Sequence, residues 1–195
     1  MKRIAIDKAS QRLHKAKSAL ARAKAATEYD GFASAWSEYL TAINQVYTVI
    51  EKGAKSHPKS RQWFGGVKKK ECKSDRLIQY LLQARNADEH GLEPVTEYVS
   101  GRISFNSSFA RGTLRIARME VTPTKIDVDF GLPTGITITP PHPKLVTVID
   151  DRFGTKFAPP TMHLGQPLTD SSPLAVGEHG IAYFERFVLE AEDLL

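Results

Sequence analysis

The stretch FASAWSEYLTAINQVYTVI, residues 32–50, decides most of the predicted fold, because its large apolar residues recur every three or four positions. These residues are Phe32, Trp36, Tyr39, Leu40, Ile43, Val46, Tyr47 and Ile50. Asp30 can cap the start of a helix here, and Gly53 marks its end. The spacing therefore predicts a long amphipathic helix whose apolar face must be covered by other elements.

Two further helices are predicted around this one. Residues 7–28 are rich in Ala, Lys and Arg and contain neither Gly nor Pro, which favours a helix. Ser74 or Asp75 can cap a third helix that ends before Gly91. The intervening basic segment, residues 51–73, contains His57-Pro58 and Gly65-Gly66, so we expect a loop with at most one short helical turn.

After Gly101 the apolar pattern changes to a period of two, which is typical of strands. A final helix is predicted from Pro173 to Leu195. The predicted strands are ISFNSSF (103–109), TLRIARMEV (113–121), TKIDVDF (124–130), GITIT (135–139) and KLVTVID (144–150). The sequence thus predicts an α+β fold, with a helical domain over residues 1–100 and a small, mostly antiparallel, β-rich accessory domain with a closing helix over residues 101–195.

The composition is that of an ordinary globular protein of 195 residues with a net charge of +5, a mild preference for polyanionic partners. The lone Cys72 excludes an internal disulfide and suits a reducing compartment. No apolar run resembles a signal peptide or a membrane span. We therefore expect a cytoplasmic protein with no membrane association.

The third predicted helix ends in QARNADEHG, residues 83–91, where polar groups capable of catalysis are concentrated. Asn86 and His90 are four positions apart and share a helix face, and the long side chain of Arg85 can reach toward them. An imidazole exchanges protons near neutral pH, and a guanidinium can hold two phosphate oxygens. The helix macrodipole also favours cations at this end. These three residues could therefore cleave RNA without a metal.

The residues RNADEH (85–90) resemble the arginine–polar residue–spacer–histidine motif of HEPN domains (higher eukaryotes and prokaryotes nucleotide-binding). The resemblance covers roughly residues 1–100 and implies a helical bundle that forms a homodimer. Many members are metal-independent ribonucleases in toxin–antitoxin and anti-phage systems, so an antitoxin-like protein partner is also implied. By position in the motif, Arg85 and His90 would be catalytic and Asn86 would support them, with residues of two protomers facing each other.

Simpler interpretations of the same residues remain open. Arg85 could form surface ion pairs with Asp88 and Glu89, and His90 could be a helix-end residue stabilised by the dipole. The two acids also place negative charge beside the proposed phosphate site. The alternative functions are a non-catalytic dimeric interaction protein and a module that binds nucleotides or RNA without cleavage.

Two basic groups could contact RNA phosphates. The first lies along the first helix and comprises Lys8, Arg12, Lys15 and Arg22. The second lies in the predicted loop, with Phe64 nearby, and comprises Lys55, Lys59, Arg61, Trp63, Lys68, Lys69, Lys70 and Lys73. The alternative is that both groups are solvated faces and that Trp63 packs inward.

Metal and cofactor sites are not predicted. Asp127 with Asp129, and Asp150 with Asp151, could bind a cation, but a solvated strand face and turn chemistry explain them more simply. The histidines of the second half lack ligand spacing, and neither a P-loop nor a dinucleotide fingerprint is present. We therefore expect neither a metal nor a cofactor.

Overall fold

The computed structural model describes residues 1–91, 93–105, 118–122, 126–129, 136–150 and 153–195. Its helices are α1 (Arg3–Ala25), α2 (Tyr29–Ala54), α3 (Pro58–Val67), a π-helical turn (Lys68–Cys72), α4 (Arg76–His90) and α5 (Pro173–Glu192). Its strands are β1 (Thr96–Val99), β2 (Arg102–Phe105), β3 (Arg118–Val121), β4 (Ile126–Asp129), β5 (Ile136–Thr139), β6 (His142–Leu145), β7 (Val148–Ile149), β8 (Lys156–Phe157), β9 (Met162–His163) and β10 (Gln166–Pro167). The predicted α+β class is confirmed.

The helices α1 and α2 form a close helical hairpin. The buried face of α1 is built mainly from alanines, so its backbone can approach α2 closely: Ala5, Ala9, Ala16, Ala19 and Ala23 are all buried. Gly53 of α2 completes this fit, because a Cβ at that position would collide with Ala5. The aromatic face predicted for residues 32–50 is confirmed, since Trp36, Tyr39, Leu40, Ile43, Val46 and Ile50 have no exposed surface.

The C-terminal helix α5 packs on this hairpin and on α4, so it belongs to the same hydrophobic core. The Tyr39 hydroxyl donates a hydrogen bond of 3.0 Å to the carbonyl oxygen of Gly177. Phe184 is fully buried, and Tyr183 and Phe187 are nearly so. Burial of these rings supplies much of the apolar surface that holds the helices together.

The strands form five antiparallel pairs within the described residues: β1 with β6, β2 with β5, β3 with β4, β7 with β8, and β9 with β10. The predicted strand at residues 144–150 is divided between β6 and β7, which pair with different partners. The predicted strand segments within residues 106–117, 123–125 and 130–135 lie outside the described residues.

The predicted loop at residues 51–73 is wrong, because most of this segment is helical. Pro58 occupies the first turn of α3, where its missing N–H is harmless. The ring nitrogen Nδ1 of His57 caps the helix by accepting from the N–H of Lys59 at 3.3 Å. Phe64 and Val67 are buried, and this burial outweighs the low helix propensity of the Gly65-Gly66 pair.

The predicted cap of α2 also differs. The helix begins at Tyr29 with Glu28 at the N-cap position, so Asp30 lies within the first turn. A carboxylate there still interacts favourably with the helix macrodipole. In the described part of the chain, none of the helices has both the length and the apolar character that a membrane span requires.

Candidate active site and basic groove

The helix α4 places the polar residues Arg85, Asn86 and His90 of the QARNADEHG stretch outside the hydrophobic core. Asp75 caps its N-terminus, with its carboxylate accepting from the N–H of Ile78 at 3.0 Å. Leu77, Ile78, Leu81 and Ala84 form the buried face. The last turns carry the polar residues, and the helix ends at His90, where the N–H of Gly91 donates to the carbonyl oxygen of Ala87.

Arg85 and Asn86 are in contact on the last turns of α4. The Nη1 atom of Arg85 donates to Oδ1 of Asn86 at 3.3 Å, and Nδ2 of Asn86 donates to Oε1 of Gln83 at 3.3 Å. The Nη2 atom of Arg85 forms an ion pair with Glu89. The Arg85 side chain is 21% exposed, and its buried Nε has no hydrogen-bond partner among the described residues. The guanidinium is therefore oriented by its neighbours, with part of its donor capacity unused.

His90 is exposed in the last turn of α4. Within the described residues, its side chain makes no hydrogen bond or ion pair with Arg85 or Asn86. The structure thus brings two of the three predicted catalytic residues into direct contact and leaves the third at the open end of the same helix.

The two acids of the motif have different neighbours. The Asp88 carboxylate accepts a hydrogen bond from the Ser37 hydroxyl of α2, so it faces the helical hairpin. Glu89 forms an ion pair with Arg85, which is the simpler interpretation of these residues given above. A phosphate that binds Nη2 of Arg85 must displace Glu89, because both anions would use the same donor group.

The basic residues of α1 line an open groove between α1 and α2 with a volume of about 460 Å³. Arg12, Lys15 and Arg22 lie on its α1 wall. Lys8, the remaining member of the predicted stripe, is exposed one turn before Arg12. The opposite wall is polar and comes from Ser37, Glu38, Thr41 and Gln45 of α2. The groove therefore combines cations with hydroxyl and amide groups, a set that suits a phosphate-bearing ligand.

Arg22 and Glu38 form a two-point ion pair at one end of this groove. Nη1 of Arg22 donates to Oε1 of Glu38 at 3.1 Å, and Nη2 contacts the other carboxylate oxygen. These hydrogen bonds from Arg22 lower the pKa of Glu38, although partial desolvation opposes the shift. The Arg22 charge is thus already offset, unlike the charges of Arg12 and Lys15.

The second predicted basic group is dispersed over α3 and its flanks. Lys68 pairs with Glu51 at 3.1 Å, and Arg61 donates to the carbonyl oxygen of Lys55 at 2.8 Å. Trp63 is half-buried and stacks on Phe187 with ring centroids 5.4 Å apart. The exposed cations of this group are Lys55, Lys59, Arg61, Lys69, Lys70 and Lys73. Because Trp63 packs inward, the expected combination of cations with a free aromatic ring is not found at this residue.

The carboxylates considered for a cation lie partly outside the described residues, since Asp151 is not described. Asp127 and Asp129 belong to β4, opposite Glu120 and Arg118 of β3. Within the part of the chain that the structure describes, no group of three or more His, Cys, Asp or Glu residues could hold a metal ion.

Comparison with known proteins adds no assignment: no family model, curated protein or solved structure matches the chain.

Sequence reasoning missed the polar wall of the groove. Ser37, Thr41 and Gln45 recur every four positions, which places them on one face of α2 beside its apolar stripe. That spacing could have identified them. Their position opposite Arg12 and Lys15 depends on how two helices pack, which the sequence pattern does not contain.

Proposed function

We propose that the protein is a metal-independent ribonuclease of the HEPN type, with a composite cleavage site in a cytoplasmic homodimer. Arg85 and His90 would be the catalytic residues, and Asn86 would orient them. The observation that carries the proposal is that α4 presents all three residues outside the core on its last turns, with the guanidinium and the amide already in contact. An antitoxin-like partner protein would fit the same class.

The proposed reaction is an attack within the RNA strand. The 2′-oxygen forms a bond to phosphorus, and the bond from phosphorus to the 5′-oxygen breaks, which leaves a 2′,3′-cyclic phosphate. One imidazole takes the 2′-hydroxyl proton, and a second gives a proton to the leaving 5′-oxygen. Since each protomer has one His90, a dimer would provide both imidazoles. Arg85 would offset the negative charge on the phosphate oxygens.

The first prediction concerns His90. Wild-type protein should cleave RNA in the presence of EDTA, and His90→Ala should lose at least about a hundredfold in rate, because general acid–base catalysis contributes that much. The measurement is cleavage of an end-labelled single-stranded RNA by gel electrophoresis. His14→Ala is the matched control, since His14 is exposed on α1. Equal rates for wild type and His90→Ala would contradict the proposal.

The second candidate is an RNA-binding protein without cleavage activity. The Arg85–Glu89 ion pair favours it, because this pair neutralises the proposed phosphate clamp within a single chain. In that case wild type and His90→Ala would bind the labelled RNA equally, and neither would cleave it.

A further inference from the structure

The groove between α1 and α2 carries two cations without acidic partners. Among the described residues, the only acid that lines it is Glu38, which is bound to Arg22 through both carboxylate oxygens. Arg12 is half-buried and Lys15 is exposed, and neither forms an ion pair among the described residues. An anionic ligand would therefore find two available positive charges on this wall.

The groove has the shape of a track rather than a pocket for a single ion. From Arg12 to Arg22 its α1 wall rises about 15 Å along the helix axis, which is longer than one phosphate group. Its floor contains Ala19 and Ala42, and no aromatic ring from the described part of the chain lines it. It thus offers contacts to charges and hydroxyls but no surface on which bases could stack.

The track also adjoins the proposed cleavage site. Ser37 lines the groove, and its hydroxyl donates to Asp88 on the last turns of α4. Arg85 and Asn86 precede Asp88 on the same helix. A strand lying in the groove would consequently pass beside the end of α4.

We propose that the groove lined by Arg12, Lys15, Ser37 and Thr41 binds the sugar–phosphate backbone of single-stranded RNA. This inference rests on the proposed function and gives the α4 site its substrate-binding track. Arg12, Lys15 and the Thr41 hydroxyl donate to phosphate oxygens, and the Ser37 hydroxyl, whose proton is shared with Asp88, accepts from a 2′-hydroxyl. Recognition through the backbone makes binding independent of base sequence.

The test measures binding by fluorescence anisotropy with labelled 12-nucleotide single-stranded RNA. All proteins carry His90→Ala, so cleavage does not interfere. Arg12→Ala with Lys15→Ala should weaken binding about tenfold and reduce the slope of log K against log salt by about 1.4, since each single-strand phosphate contact contributes about 0.7. Lys52→Ala with Lys156→Ala is the control, because it removes the same charge from exposed positions outside the groove.

A second variant tests the groove by improving it. Glu38→Gln frees Arg22 and should tighten binding several-fold with a steeper salt dependence, an effect that misfolding would not produce. Equal losses in the groove and control variants, or no tightening in Glu38→Gln, would overturn the proposal. Inorganic tripolyphosphate is the competitor. If it displaces the RNA as strongly as unlabelled RNA does, the groove is a site for small anions, and the proposal is overturned.

The two proposals fail separately. Groove-dependent binding without RNA cleavage by the wild type contradicts only the ribonuclease function. Cleavage that requires His90 but is unchanged in the Arg12→Ala, Lys15→Ala protein contradicts only the groove.

Discussion

Arg85 and Glu89 are one helical turn apart, and their ion pair occupies Nη2, one of the guanidinium groups that could bind a phosphate. The arginine precedes the acid, which is the less favourable order along a helix. Both side chains are also partly exposed, so the pair contributes only about 0.2–1 kcal/mol. An incoming phosphate can therefore displace Glu89 at a small cost in free energy.

A prediction at the residue scale follows for Glu89→Gln. Loss of the competing carboxylate should increase the rate of RNA cleavage about twofold to fivefold, the factor that corresponds to the free energy of such a pair. Glu190→Gln is the control, because Glu190 pairs with Arg186 at the same spacing and in the same order on α5. A decrease in rate with Glu89→Gln would show that Glu89 supports Arg85 instead of blocking it.

At the scale of elements, the N-terminus of α4 is clamped to the β9–β10 hairpin by Asp75. One carboxylate oxygen accepts from the N–H of Ile78 and lies 3.1 Å from Nδ1 of His163, and the other accepts from the N–H of Leu164 at 2.5 Å. Leu164 and Gly165 have φ values of 48° and 79°, as the two central residues of a type I′ turn require. Asp75 thus holds a strained turn and caps α4 at once.

The protonation of Asp75 makes this clamp dependent on pH. Burial favours the neutral carboxyl, but the hydrogen bonds from His163, Leu164 and Ile78 outweigh burial and hold the pKa of Asp75 below its ordinary value. A lowered pKa in the folded state means that the stabilisation is complete above the unfolded-state pKa and is lost as the pH falls through the folded-state value.

The prediction at the scale of elements is therefore made for Asp75→Asn. The free energy of unfolding at pH 7 should fall by about 1–3 kcal/mol, because an amide nitrogen would face a donor in a buried site. The difference from wild type should shrink as the pH falls below about 4, because the carboxyl of the unfolded chain is protonated there first and that of the folded protein only at lower pH. Urea unfolding at several pH values measures both effects. Asp193→Asn, at an exposed position, should change neither.

On the scale of the whole molecule, α5 completes the core, because its backbone at Gly180 lies directly against side chains of α2 and α4. A Cβ added at Gly180 would collide with the Tyr39 hydroxyl and would lie 2.7 Å from Cδ1 of Leu81. Tyr39 is fully buried and is bound to the carbonyl oxygen of Gly177, so it has little freedom to move. Gly180 thus sets the distance at which α5 packs against α2 and α4.

Gly180→Ala should consequently lower the free energy of unfolding by about 1–3 kcal/mol, the usual cost of overpacking a core. Gly65→Ala is the control, and it should change the free energy of unfolding in the opposite direction. No atom lies within 4 Å of an added Cβ there, so the alanine should stabilise α3 by about 0.5–1 kcal/mol. Thermal or urea unfolding compares the two variants. A stabilised Gly180→Ala protein would contradict this account of α5 packing.

The parts of the fold that could be predicted from the sequence are those that depend on the residue pattern within one helix. The apolar spacing of residues 32–50 was sufficient for α2, and Asp75 was correctly named as a possible cap of α4. α3 was missed because Gly65-Gly66 and His57-Pro58 indicate a loop locally, whereas burial of Phe64 stabilises a helix. Local pattern cannot report such tertiary contacts.

The candidate site also has a part that the sequence could predict and a part that depends on helix packing. The residues Arg85, Asn86 and His90 could be named from one short stretch, and so could the ion pair with Glu89. The contact of Asp88 with Ser37 could not be predicted, because it joins residues 51 positions apart in the chain, and neither could the groove, whose walls come from two different helices. The contact depends on the packing of α4 against the helical hairpin, and the groove depends on the packing of α1 against α2.

The most direct measurement uses a DNA oligonucleotide that contains a single ribonucleotide, incubated with the protein in EDTA. The account predicts one cut, immediately after the ribose, with a 2′,3′-cyclic phosphate on the fragment as determined by mass spectrometry. Because only that sugar has the attacking 2′-hydroxyl, the cut should be absent with His90→Ala and with an all-deoxy strand. An intact oligonucleotide after incubation with wild-type protein, or a cut that persists in His90→Ala, would contradict the claim that α4 carries a ribonuclease site.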